Sequence, residues 1–139
     1  MTWMLYAALA AVFSALVAIL SKMGLQGINS HFATAIRTTA VMVITWLFVW
    51  FSGVKGADLH VGKKHVLYLI LSALATGGAW LTYNMALQTG PATRVASVDK
   101  MSIVLIAILS FLIFQETLSW AAVGGLLMIT CGTIILVFA

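Results

Sequence analysis

The chain has 139 residues, 63% of them hydrophobic and only 7% charged, with three acids against seven Lys and Arg. An ordinary soluble domain carries roughly 25% charged residues, so a globule of this size could not cover itself with groups that water solvates, and the solvent has to be lipid. The net charge of +4 is scattered along the chain, which argues against a nucleic-acid-binding patch. The single Cys131 excludes an internal disulfide framework.

Five apolar stretches have the length of a membrane-crossing helix, which takes about 20 residues. The first covers residues 3–21. Its earliest basic residue, Lys22, lies beyond it, whereas a cleavable signal carries positive charge in front; it therefore reads as a retained span. Gly24, Gly27, Asn29 and Ser30 make the first break, with Ser30 expected to cap the second span, residues 31–51. Residues 52–65 form the longest polar stretch, with Gly53, Gly56, Asp58 and three lysines. The third span, residues 66–88, stops at Gly90–Pro91. Proline suits a first helical turn and starts the fourth span, residues 92–114. Glu116 and Thr117 divide it from the fifth, residues 118–138, which Thr117 or Ser119 is placed to cap. The short junction predicts a tight antiparallel hairpin, with Glu116 as a cap or orientation charge. The expected fold is all-α and integral to the membrane, a bundle of five helices in one domain, 1–139.

Small residues recur at four-residue spacing: Ala7, Ala11 and Ala15 in the first span, Ala121 and Gly125 in the fifth, with Gly124 and Gly132 nearby. In lipid such stripes let helix backbones approach closely, because burial alone does not drive association there.

The two membrane faces differ. Trp3, Tyr6, Trp46, Trp50, Tyr68 and Trp120 all fall near the N-terminal face, as an interfacial aromatic belt does. Polar residues inside the spans fall toward the other face. Arg37 is about 9 Å into the second span, and Asp99 and Lys100 are about 12–13 Å into the fourth. Trp80, Asn84 and Gln88 form an i, i+4, i+8 stripe on the third span with Tyr83 beside it; Arg94, Thr38, Thr39 and Ser14 occupy the same half. The expectation is a polar vestibule lined by Arg37, Asp99, Lys100, Trp80, Tyr83, Asn84, Gln88 and Ser14, sealed by Phe48, Phe51, Phe111 and Phe114. An ionisable group at this depth costs several kcal/mol unless paired or hydrated. Adjacent residues on a helix diverge by about 100°, so Asp99 is expected to pair with Arg37 and to leave Lys100 free. Lys22, Lys55, Lys63, Lys64 and Arg94 are read as snorkelling to the interface. His31, His60 and His65 are read as loop residues, no metal-like spacing joins them, and no cofactor is expected.

In this order the features resemble one half of the drug/metabolite transporter superfamily, the EamA-type domain. The matching features are Ser21–Lys22 ending the first span, Arg37 followed by Ala40, and Asn84-Met-Ala-Leu-Gln-Thr-Gly-Pro-Ala92 between the third and fourth. Phe114-Gln-Glu-Thr-Leu118 followed by Gly124, Gly125 and Gly132 completes the set. The resemblance implies ten helices in two inverted halves, of which this chain supplies one; Asp99–Lys100 is charged where many relatives are apolar. A five-helix unit ends on the side opposite its start, so two copies rebuild such a body by pairing antiparallel. Lys and Arg divide almost evenly between the two faces, which permits insertion both ways.

The leading reading is a multi-pass transporter of a small-molecule solute in the plasma membrane (the inner membrane of a bacterium), working as an antiparallel homodimer within the lipid bilayer. The alternatives are a small multidrug proton-coupled exporter and a non-transporting membrane assembly subunit. An enzyme is not expected, since no nucleophilic, metal or phosphate-loop constellation stands out.

Overall fold

A chain surrounded by hydrocarbon has to hydrogen-bond its own backbone, and the helix does so locally. The computed structural model describes residues 2–53 and 62–139, which form six helices and no strand. They are α1 (Thr2–Gly24), α2 (Ser30–Phe51), α3 (Lys63–Thr89), α4 (Ala92–Asp99), α5 (Ser102–Phe114) and α6 (Trp120–Phe138). Five spans are long and apolar enough to cross a membrane, α4 and α5 together making one of them, Ala92–Phe114. Gly56, Asp58, Lys55 and His60 lie outside the described residues.

The helix ends follow from short polar side chains. Asn29, rather than the expected Ser30, caps α2: its backbone is extended and its side-chain oxygen accepts from the His31 N–H at 2.9 Å. Ser30 is already the first helical residue and is buried. Of the two residues placed to cap the last span, Ser119 does so, accepting from the Ala122 N–H at 3.2 Å. Pro91 precedes α4 with φ −63° and ψ 135°. At the end of α5, Gln115 takes a left-handed φ of 54°. That turn brings the backbone N–H groups of Gln115 and Glu116 to the Ser110 carbonyl, which satisfies one of the orphan acceptors of a helix end.

Hydroxyls inside the spans mostly bond within their own helix. Thr38, Thr45, Thr76, Thr82 and Thr130 each donate to the carbonyl four residues back, the local solution open to a hydroxyl that cannot reach water. Thr133 is buried and does otherwise: it donates to the Ser97 carbonyl of α4 at 3.3 Å.

That contact coincides with the break between α4 and α5. A continuous helix would send the Met101 N–H to Ser97. Instead it bonds Val98, and Ile103 and Val104 likewise reach back three residues, to Lys100 and Met101. The fourth span, expected as one rod, is thus two helices joined by a tightened turn. No Pro or Gly stands at the break; the Ser97 carbonyl there accepts from the Thr133 side chain and not from the Met101 N–H.

The chain divides into two compact units, one of Met1–Leu20 with Thr89–Ala139, the other of Ser21–Gln88. In the first, α6 packs along α4 and, less closely, α5. A groove of about 400 Å³ opens between α5 and α6, floored by Ala107, Ala122 and Gly125 with Glu116 among its lining. Among the described residues, the small residues expected to pack closely stand open. A Cβ built on Gly124, Gly125 or Gly132 meets open space, and Ala7, Ala11, Ala15 and Ala121 are exposed. Phe48, Phe51, Phe111 and Phe114, expected to form a seal, are each more than half exposed.

Two predictions follow from this architecture. In a Cys131→Ser background, single cysteines at Gln26, Gly53, Gly62, Gly90 and Glu116 should react with a membrane-impermeant maleimide, and cysteines at the centres of the five spans should not. A fifth span that labels throughout would refute the arrangement. Thr133→Val should return the Ser97 carbonyl to the Met101 N–H. Hydrogen exchange from Met101 to Val104 should then slow, with about 1 kcal/mol or less lost in global stability.

Candidate functional site

The polar stripe of α3 is directed at the start of α2 and the turn before it, all within the unit Ser21–Gln88. Each member of the stripe meets a partner there. The Arg37 guanidinium lies 4.8 Å from the Trp80 ring centroid and donates to the Ser21 hydroxyl at 2.9 Å. One turn along, the Asn84 side-chain amide donates to the Thr34 hydroxyl at 2.6 Å. One turn further, the Gln88 amide donates to the Ile28 carbonyl at 2.7 Å and the Leu25 carbonyl at 3.4 Å. The four-residue spacing that makes Trp80, Asn84 and Gln88 a stripe therefore also makes them three rungs between α3 and its neighbours.

The far end of the unit is closed by a reciprocal clamp. Lys22, at the end of α1, donates to the Leu87 carbonyl near the end of α3, while Gln88 bonds back to the turn after α1. Leu87 is fully buried and Leu25 nearly so. The last carbonyls of a helix lack intrahelical donors and carry the negative end of its dipole, so an ammonium there is well placed. Lys22, expected to snorkel to the interface, bonds a helix end. It lines a cavity of about 360 Å³ with Leu25, Gln26, Gly27, Ile28, Leu87 and Gln88. Gly27 takes φ +75° there, a conformation that suits glycine.

The charges in the other unit pair differently from expectation. Asp99 and Lys100 are 3.8 Å apart. An intact helix would diverge these neighbours, but Lys100 begins the tightened turn, and both side chains remain about half exposed. Within its own unit Arg37 has a hydroxyl and an aromatic ring as partners, and Lys100, expected to be left free, has Asp99 beside it. Of the remaining expected residues, Tyr83 is half-buried and Ser14 exposed. Thr38 and Thr39 are spent on the carbonyls of Thr34 and Ala35. Among the described residues no cluster of His, Cys, Asp and Glu is suited to a metal ion.

Three members of the network were not singled out as site residues from sequence: Ser21, Lys22 and Thr34. Thr34 carried a usable signal, since it precedes Arg37 by three residues and so shares its face. Ser21 and Lys22 carried none, because contacts 16 and 65 residues apart in sequence join them to Arg37 and Leu87.

A double-mutant cycle on unfolding in detergent should give Arg37→Met and Trp80→Leu a coupling of about 0.5–2 kcal/mol, the range for a partly desolvated cation–π pair. Additive effects would show that the stacking contributes nothing.

Comparison with known proteins places these features in a family context. The model of the EamA-like transporter family matches residues 1–138. A protein of Sinorhizobium sp. named "Uncharacterized transporter in cobO 3'region" is 39% identical over 135 residues, covering 97% of this chain and 96% of that protein. No solved structure matches.

Proposed function

The chain belongs to the EamA-like transporter family, and from that membership we propose that it moves a small solute across the membrane by alternating access, as a homodimer of antiparallel copies. The observation that carries this reading is the family match over a chain with five spans. An odd number of spans puts the two ends of the unit on opposite faces, so a second copy can restore the inverted pair of a transporter only by inserting upside down. The open space around Gly124, Gly125 and Gly132 supports a helix surface that a second chain covers. The proposed location is the plasma membrane, for a bacterial protein the inner membrane, with residues 1–139 acting as one EamA-like domain.

The substrate path is proposed to use Arg37, Asp99 and Lys100, with Trp80, Tyr83, Asn84, Gln88 and Ser14 contributing. Asp99 and Lys100 offset one another, whereas the described partners of Arg37 are uncharged. The guanidinium thus keeps an unneutralised charge inside a span, which favours an anionic or zwitterionic solute over a simple cation.

Neutral substitutions test the path. Arg37→Gln, Asp99→Asn and Lys100→Gln should each reduce uptake of a labelled small carboxylate into vesicles of the pure protein at least tenfold, with expression intact. Normal transport by all three variants would reject the path. Binding to Arg37 without any transport would favour the assembly-subunit alternative instead.

Orientation tests the dimer. Two or three lysines added near the N-terminus should fix one topology, since charge within about 15–20 residues of a span end governs insertion. That variant alone should lose transport. Activity should return on co-expression with a partner locked the other way by lysines in residues 24–30. C-terminal reporter fusions should give signal from both sides of the membrane for the unmodified protein; signal from one side only refutes the antiparallel pair.

A further inference from the structure

The Asn84 side chain is 2% exposed, and only half of its amide is accounted for. The Thr34 hydroxyl donates its single proton to the Ser30 carbonyl at 2.7 Å, so toward Asn84 it can act only as an acceptor. The group facing Thr34 at 2.6 Å must therefore be the amide nitrogen. This fixes the amide orientation by chemistry, and it directs the carbonyl oxygen away from Thr34. That oxygen is buried and has no donor among the described residues. A buried acceptor without a donor is costly and rare enough to require a reason.

We propose that the Asn84 carbonyl oxygen is a specificity-determining acceptor of the substrate path, binding an O–H or N–H of the solute whose acidic group engages Arg37. The inference rests on the function proposed above and narrows its substrate class to small carboxylates that carry a hydroxyl or amino group. The geometry is suited to it. Thr34 and Arg37 are three residues apart on α2, and Asn84 and Trp80 four apart on α3, so the Asn84–Thr34 and Trp80–Arg37 contacts are successive rungs one helical turn apart. A metal ion is disfavoured as the occupant, because the neighbouring charge is positive and one amide oxygen is far short of a coordination shell. Thr34 acts as a positioning residue: it holds the amide in the orientation that offers an acceptor rather than a donor.

The test compares acids in pairs that differ only by the donor: glycolate with acetate, lactate with propionate, malate with succinate. Thermal unfolding of the detergent-purified full chain reads the concentration at which each stabilises. In the unmodified protein the donor-bearing acid of each pair should act at about tenfold lower concentration, or better, since its absence leaves the buried oxygen unmet. Asn84→Leu should bring that ratio close to one. Thr34→Val removes the acceptor that pins the amide, lets it turn over, and should lower the ratio while acids still bind; it also covers the case in which Asn84→Leu fails to fold. Arg37→Gln should weaken both members of every pair and leave the ratio unchanged. Equal stabilisation within the pairs, as expected if a water meets the oxygen, overturns the proposal but leaves the transport reading standing. So does a ratio that survives both Asn84→Leu and Thr34→Val. Stabilisation by none of the acids rejects the anionic substrate class itself.

Discussion

Hydrocarbon offers no hydrogen bonds, so every donor and acceptor inside a span has to be met by another part of the protein. Backbone groups comply by forming helices, and hydroxyls comply by bonding the carbonyl one turn back. The informative places are those where a polar side chain departs from this local rule. Thr133 reaches the Ser97 carbonyl and the helix of the fourth span divides. Asn84 reaches Thr34, whose proton is already given to Ser30, and one face of the amide is left over. Both departures are single hydrogen bonds between helices.

The charges obey the same constraint with higher stakes. Each of the cations Lys22, Arg37 and Lys100 is placed against a different kind of partner: a helix-end carbonyl, an aromatic ring with a hydroxyl, and a neighbouring carboxylate. The last of these is an opposite charge. Lys22 serves the fold by closing the end of α3. Arg37 is held by groups that orient a guanidinium without carrying an opposite charge, which suits the anion-binding role proposed for it.

What lies outside the polar networks is almost wholly apolar and exposed. For a multi-pass member of a transporter family this is the surface that meets lipid. The glycines of α6 and the groove beside α5 leave room that this chain does not fill, and the proposed antiparallel copy is one way to fill it. The alignment with the relative from Sinorhizobium sp. runs over nearly all of both chains, so the five-span unit is shared across the whole comparison.

Much of the fold is legible in the residues alone. Span number and approximate ends follow from runs of apolar residues, because the bilayer imposes one length on all of them. The family follows from the order of small motifs, and the stripe of Trp80, Asn84 and Gln88 follows from helical periodicity. What pairs with what does not. Asp99 and Lys100, expected to diverge on an unbroken fourth span, meet beside a tightened turn whose Ser97 carbonyl is bonded by a threonine 36 residues away. Ser30 and Asn29 are both good capping residues, and only the path of the chain chose between them. The orientation of the Asn84 amide depends on where one hydroxyl proton of Thr34 goes. Composition and periodicity are properties of a segment and survive without the rest of the molecule. The partner of a side chain is a property of two segments brought together, and only tertiary structure decides it.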